Sequence, residues 1–210
     1  MDDVCGLPSG GSVRIAARAL PREGAPPDLP PRVVATEPAV ELIRELVGRH
    51  GPVMFHQSGG CCDGSAPMCY PDGEFKVGQR DVLVGELDLG ESDPAGPERA
   101  GPERAGPVPS GTGGRVGGAS GTNPGDDDDE ARANSSSSSS IRVRVWISGP
   151  QVATWKHTQL VLDAIPGRGS GFSLENPTGR RFLSRARTFD EQEMELLERF
   201  PPLLGADLDV

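Results

Sequence analysis

The spacing of apolar residues changes several times along the chain, and the changes outline the elements. Val40, Ile43, Leu46 and Val47 recur at helical spacing. Thr36 suits the N-cap, Glu37 the positive helix end and Pro38 the first turn, while Gly51 stops the pattern after Arg49 and His50. Val53-Met54-Phe55 then reads as a short buried strand. Asp81 to Leu89 reads as another, and Ile141 to Ile147 alternates apolar and polar residues as a half-buried strand does. Thr158 to Ile165 and Phe172 to Glu175 add two more, the second ended by the turn signal Asn176-Pro177-Thr178-Gly179. Asp190 with Glu193 forms a capping box for a helix running to Arg199, before Pro201 and Pro202. A helix, several strands and a closing helix predict an α+β domain: a small, mostly antiparallel or mixed sheet with an N-terminal and a C-terminal helix.

Residues 91–140 break this pattern. They contain no aromatic residue, Leu or Ile, but carry a repeated Gly-Pro-Glu-Arg-Ala pentad, four consecutive Asp and six consecutive Ser. Such a stretch lacks the apolar area that offsets backbone ordering and reads as a disordered insertion. Residues 1–31, with the Pro-rich run from Ala25 to Pro31, read as a flexible extension in which the segment around Arg14, Arg18 and Arg22 forms at most a transient basic helix. The expected folded domain is therefore 32–90 plus 141–204, with 205–210 as a tail. Closing a fifty-residue loop costs little more than closing a short one, because the entropy grows logarithmically.

Charge narrows the function. The 210-residue chain has a formal net charge of −10, and the nine acids and four arginines of 91–140 supply half of it. Phosphate backbones need clustered cations, so nucleic acid is not an expected partner. No apolar run is long enough to span a bilayer, and no signal-peptide pattern opens the chain, so a cytoplasmic protein without a membrane partner is expected. In that compartment cysteines serve as thiols or ligands more often than as disulfides.

Three of the four cysteines fall between His56 and Cys69, with Asp63 among them. Thiolates and imidazole suit zinc, copper or iron. Cys61 and Cys62 are adjacent, which on an extended backbone points the sulfurs apart; Gly59, Gly60 and Gly64 permit turns that aim both inward. The leading expectation is a transition metal or an iron–sulfur cluster on Cys61, Cys62 and Cys69, with His56 and His157 as weaker ligands. Two alternatives stay open: a reactive or redox thiol at Cys61 or Cys62, or a structural glycine-rich loop. His157, in Trp155-Lys156-His157-Thr158, stands just before a strand and by itself reads as a hydrogen-bonded histidine. In Gly167-Arg168-Gly169-Ser170-Gly171 the backbone amides and Arg168 suit an anion. No helix follows this turn, so no nucleotide cofactor is expected. Arg180, Arg181, Arg185 and Arg187 form a basic strip on the next strand.

Phe55 to Ser65 with Pro67-Met68-Cys69, Trp155 to Leu160, Pro166 to Glu175, and Gly179 to Arg185 together resemble the signature of an uncharacterised bacterial family, domain of unknown function 779. The resemblance covers 32–90 and 141–195. It implies a small protein often encoded beside aldehyde dehydrogenase genes, hence an aldehyde dehydrogenase as a partner, and no established activity. Relatives carry a short connection in place of 91–140. A fainter similarity is to the A-type iron–sulfur carrier (HesB-like) fold, through Ser58-Gly59-Gly60-Cys61 and Gly171 to Pro177. The carriers place Cys-Gly-Cys after the Asn-Pro turn, and residues 178–190 here hold no cysteine. The expectation is a small accessory protein; an enzyme or redox sensor using a cysteine, or a partner-binding subunit, are the alternatives.

Overall fold

The computed structural model describes residues 14–59, 66–91, 140–169 and 171–208. Their strands are β1 (Ile15–Ala19), β2 (Val33–Thr36), β3 (Val53–Gln57), β4 (Met68–Pro71), β5 (Val82–Glu91), β6 (Ser140–Ile147), β7 (Thr158–Pro166), β8 (Arg180–Thr188) and β9 (Leu203–Leu204). The helices are α1 (Glu37–His50), α2 (Gly149–Trp155) and α3 (Glu191–Arg199). All nine strands join one sheet in the order β4-β3-β6-β5-β1-β2-β7-β8, with β9 paired to β5. The β2–β7 and β3–β6 pairs are parallel and the others antiparallel. The class is α+β with a mixed sheet, larger than the small one expected. No helix among the described residues is long and apolar enough to cross a membrane.

Several elements depart from expectation. Ile15–Ala19, assigned to the flexible extension, forms β1 between β5 and β2. Its alternation is carried by alanines and arginines, too weak a pattern to read locally; backbone pairing to a strand on each side supplies what the side chains lack. Gly85 makes the fit possible, since a Cβ there would stand 2.6 Å from the Ala19 Cβ and 2.8 Å from Val33 Cγ1. The arm after β1 is tied down by Arg22, which donates to the Pro201 carbonyl at 2.8 Å, and by Arg32, which donates to the Leu197 carbonyl at 2.7 Å. Phe172–Glu175 forms no strand and leads into a one-turn 3-10 helix at Asn176–Thr178. The insertion is shorter than predicted at both ends: β5 runs through Glu91, β6 starts at Ser140, and these two residues pair. Most of 91–140 lies outside the described residues.

The sheet curls around α1. Thr36 accepts a hydrogen bond from the Ala39 amide at 3.4 Å, and Gly51 ends the helix at φ 80°. Its buried face of Ala39, Val40, Leu42, Ile43 and Leu46 packs in one cluster with inward positions of most strands: Val33 and Ala35, Phe55, Val143 and Val145, Leu160 and Leu162, and Phe182. Although β3 and β8 are far apart in strand order, Phe55 meets Phe182 edge-on at 4.7 Å. Ser184 also donates to Gln57 Oε1 at 2.9 Å. α3 carries the predicted capping box, and Arg187 grips its Glu193 with two hydrogen bonds of 2.9 and 2.7 Å.

Two outcomes follow. Gly85→Ala overpacks the β1–β2–β5 contact and is expected to cost about 1–3 kcal/mol, read as a lower urea midpoint at unchanged slope. Replacing residues 93–138 by a short Gly/Ser linker is expected to move Tm by less than about 5 °C, because β5 and β6 are already paired at the graft; a larger fall would show that the insertion contributes to stability.

Candidate functional site

β3 presents successive side chains to opposite faces of the sheet. Phe55 pairs with Cys69 of β4, and His56 with Met68 and with Trp146 of β6. Successive side chains alternate across the sheet, so Phe55 and Cys69 point to the core and His56 and Trp146 to the other face. His56 is 3% exposed. Its Nε2 lies 3.0 Å from Asp81 Oδ2 and its Nδ1 3.1 Å from Ser58 Oγ. The Asp81 carboxylate also accepts the Gly78 amide at 2.7 Å, and the Asp81 amide donates back to the Gly78 carbonyl at 3.0 Å, so a tight turn sets its direction. Phe75 stacks on the imidazole at 4.2 Å between ring centres.

Ser58 is held from both sides by Ser148 at the end of β6. The Ser148 amide donates to the Gln57 carbonyl at 3.0 Å, and Ser148 Oγ accepts the Gly59 amide at 3.1 Å. Two buried side-chain atoms among the described residues have no hydrogen-bond partner, Trp146 Nε1 and Gln151 Oε1. Both flank this place: Trp146 is the β6 neighbour of His56, and Gln151 Oε1 would lie 3.9 Å from a Gly59 Cβ. Unpaired buried polar atoms are rare enough to mark a site. Cys61 and Cys62, the centre of the sequence expectation, lie outside the described residues, as does Asp63.

Cys69 belongs to a different constellation. It is fully buried; its amide donates to Ser173 Oγ at 2.8 Å and its carbonyl accepts the Leu174 amide at 3.0 Å. Ser173 in turn donates to the Glu175 carboxylate. The stretch from Phe172 to Glu175, read as a strand, is thus an irregular segment laid along β4. Burial, and then the Glu175 charge, push the Cys69 thiol far above its ordinary value. Burial likewise raises Glu175, partly offset by the Ser173 hydroxyl and by the Glu175 and Phe182 amides.

A family model described as Domain of unknown function (DUF779) matches residues 42–96 and 115–188, more than half of the chain. The chain belongs to this family. No curated protein and no solved structure matches it. Residues 97–114, which separate the two matched segments, fall inside the low-complexity stretch. In this DUF779 chain the fold draws together two separated signature segments, with Cys69 from one bonded to Ser173 and Leu174 from the other.

The remaining candidates are dispersed. His56 and Cys69, on opposite faces, do not come together. His157 is exposed in the turn before β7, its carbonyl accepting the Phe189 amide at 3.0 Å. Strand directions put it at the end of the sheet where β3 and β6 finish. Arg168 is exposed beside an open depression shared with Gly167, Asn176, Pro177 and Gly179. No group of three or more His, Cys, Asp or Glu suited to a metal gathers among the described residues. The basic strip is largely engaged: Arg180 with Glu45, Arg185 with Asp163 at 2.6 Å and Arg187 with Glu193. Burial pulls the Asp163 carboxyl up, but hydrogen bonds from Thr36, Arg185 and the Ala164 amide outweigh it and hold the group below the usual carboxylate range.

Asp81, Ser148, Gln151 and Glu175 were not singled out from the sequence. Only Asp81 left a local signal, the Gly78-x-x-Asp81 turn.

A pH test follows from Glu175. Its folded-state pKa lies above the unfolded value, so its contribution to stability is complete below the ordinary glutamate range and is lost as pH rises through the raised value. The expected result is a Tm difference between wild type and Glu175→Gln that shifts in favour of the variant as pH rises across that window. A difference independent of pH would contradict the burial of an ionisable carboxyl here.

Proposed function

We propose that the protein is a small enzyme that uses a cysteine of the Gly59–Cys62 segment, Cys61 or Cys62, as a nucleophile toward an electrophilic carbonyl, with His56 as its base. One observation carries the reading: the Asp81–His56–Ser58 chain of hydrogen bonds, 3.0 and 3.1 Å long, at the entry to that segment. Asp81 accepts the Nε2 proton, which leaves the Nδ1 lone pair facing Ser58. An imidazole so oriented draws a proton from a neighbouring thiol and favours the thiolate. The unpartnered Trp146 and Gln151 atoms add support, since a reaction site needs polar groups that the resting protein has not used up. Cys69 is not the nucleophile, because it is fully buried on the core face, away from His56, where burial also pushes its thiol up.

The association with aldehyde metabolism rests on the family resemblance and fits this chemistry. A thiolate adds to an aldehyde carbon, the carbonyl π pair moves to oxygen, and that oxygen takes the proton held by His56. The product is a thiohemiacetal, formed without an oxidant. Service to an aldehyde dehydrogenase, by holding or passing on its substrate, is the partner role in keeping with it.

A second reading keeps a transition metal or iron–sulfur cluster on Cys61 and Cys62. The Asp81–His56 pair favours it too, because ligating histidines commonly give their other ring proton to a carboxylate. In that case the ligand set is Cys61, Cys62 and His56; Cys69 faces away.

Alkylation of anaerobically purified full-length protein by iodoacetamide, followed peptide by peptide in a mass spectrometer, separates the readings. Cys61 or Cys62 is expected to react at least about tenfold faster in wild type than in His56→Ala or Asp81→Asn, while Cys69 stays unlabelled until the protein unfolds. Equal rates in all three proteins would overturn the thiol reading. Stoichiometric bound metal, lost in Cys61→Ser and Cys62→Ser, would replace it with the metal reading.

A further inference from the structure

A cavity of about 980 Å³ lies on the face of the sheet away from α1. It is bounded by β1, β2 and β5, by the proline-rich arm from Pro21 to Arg32, and by α3 with the residues that follow it. Ligand sites of small molecules run from about 300 to about 1,000 Å³. The arm that roofs it is an anchored strap. Arg22 and Arg32 tie it to the carbonyls of Pro201 and Leu197, and Gln159 Nε2 donates to the Pro31 carbonyl at 2.7 Å.

The lining has two characters. Leu20, Leu29, Val34, Leu197 and Phe200 make an apolar body. Around it stand five guanidinium groups, Arg18, Arg22, Arg32, Arg142 and Arg187, against three carboxylates, Asp28, Glu86 and Glu193. This surplus of positive charge occurs in a chain whose net charge is −10. Four of the arginines are committed: Arg22 and Arg32 to carbonyls, Arg142 to Glu86 at 3.3 Å and Arg187 to Glu193. The Arg18 side chain has no hydrogen bond or ion pair among the described residues, its backbone alone being paired, to β2 and β5. Ala17 is buried on the core side of β1, so Arg18 projects to the cavity side, level with Val34 of β2. Its neighbour on β5, Asp88, already accepts from Ser140 Oγ at 2.5 Å and from the Gly90 amide at 2.8 Å.

We infer that this cavity binds an amphipathic monoanion, a carboxylate with an unbranched aliphatic chain, whose head pairs with Arg18 and whose chain lies between the sheet and the proline strap. An apolar body suits the chain through burial of its methylene groups. A guanidinium with no partner of its own suits a carboxylate, which it meets with two parallel hydrogen bonds. The site is separate from the Asp81–His56–Ser58 chain and stands whether or not the thiol reading holds.

Calorimetric titration of the full chain with decanoate, 1-decanol and decylamine tests the assignment. Decanoate is expected to bind at least about tenfold more tightly than the alcohol or the amine, because only it brings the charge Arg18 lacks. Arg18→Gln should bring decanoate down to the affinity of decanol and leave decanol unchanged. Arg18 packs against nothing in the core, so this variant keeps the wild-type Tm. As a second variant Leu29→Asp, in the strap, should weaken decanoate and decanol alike. Absence of decanoate binding would overturn the inference. So would equal affinities for the three ligands, or decanoate affinity unchanged in both variants.

Discussion

Phe55 on β3 meets Phe182 on β8 with 4.7 Å between ring centres, although five strands separate them in the order of the sheet. The sheet closes that gap only by curling around α1, whose buried face of Leu42, Ile43 and Leu46 gives it something to wrap. Burial of these side chains is worth about 1.5–3 kcal/mol each and dominates any single polar contact in the domain. Ser184 with Gln57, and Cys69 with Ser173 and Leu174, all follow from the same closure. Without it the segments before β4 and before β8 belong to opposite edges of an open sheet.

The same packing decides which way the chemistry faces. With Phe55 turned inward by its contact with Phe182, the period of two along β3 turns His56 outward, and the antiparallel register turns Cys69 inward with Phe55. A density of ligand-type residues between positions 56 and 69 is thereby divided between two environments. Inside, Cys69 and Glu175 are pushed toward their neutral forms by burial. Outside, His56 is aimed by Asp81 beneath Phe75. Asp163 is a third case, a buried carboxylate kept ionised because Thr36 and Arg185 donate to it. Three acids in one small domain serve three purposes, set by the donors each neighbour brings.

Much of the element pattern was readable from short-range features. The helix of Glu37–His50 was signalled by Thr36, Pro38, the spacing of Val40, Ile43 and Leu46, and Gly51. The strands at Val82–Glu91, Ser140–Ile147 and Thr158–Pro166 showed in their β-branched runs, and α3 in the Asp190–Glu193 box. What escaped has a common cause. β1 is held by backbone pairing on both sides, and Ile15–Ala19 carries little apolar signal of its own. Met68–Pro71 is a strand through its partner Val53–Phe55, in the midst of residues that read as a ligand-rich loop. Phe172–Glu175 alternates like a strand, but Ser173 and Leu174 spend their bonds on Cys69, and Phe172 is 89% exposed.

Local propensity and covalent order determined, by themselves, that this chain is α+β, that two of its helices are capped at Thr36 and Asp190, that residues 91–140 break the apolar pattern of the stretches on either side, and that His56 lies near three cysteines in sequence. Those properties depend on neighbours a few residues away. Asp81 stands 25 positions from His56 and Ser173 stands 104 from Cys69, separations that no local period encodes. Only the curl of the sheet, driven by burial around α1 and transmitted through the register of β3, decided that His56 answers to Asp81 while Cys69 answers to Ser173.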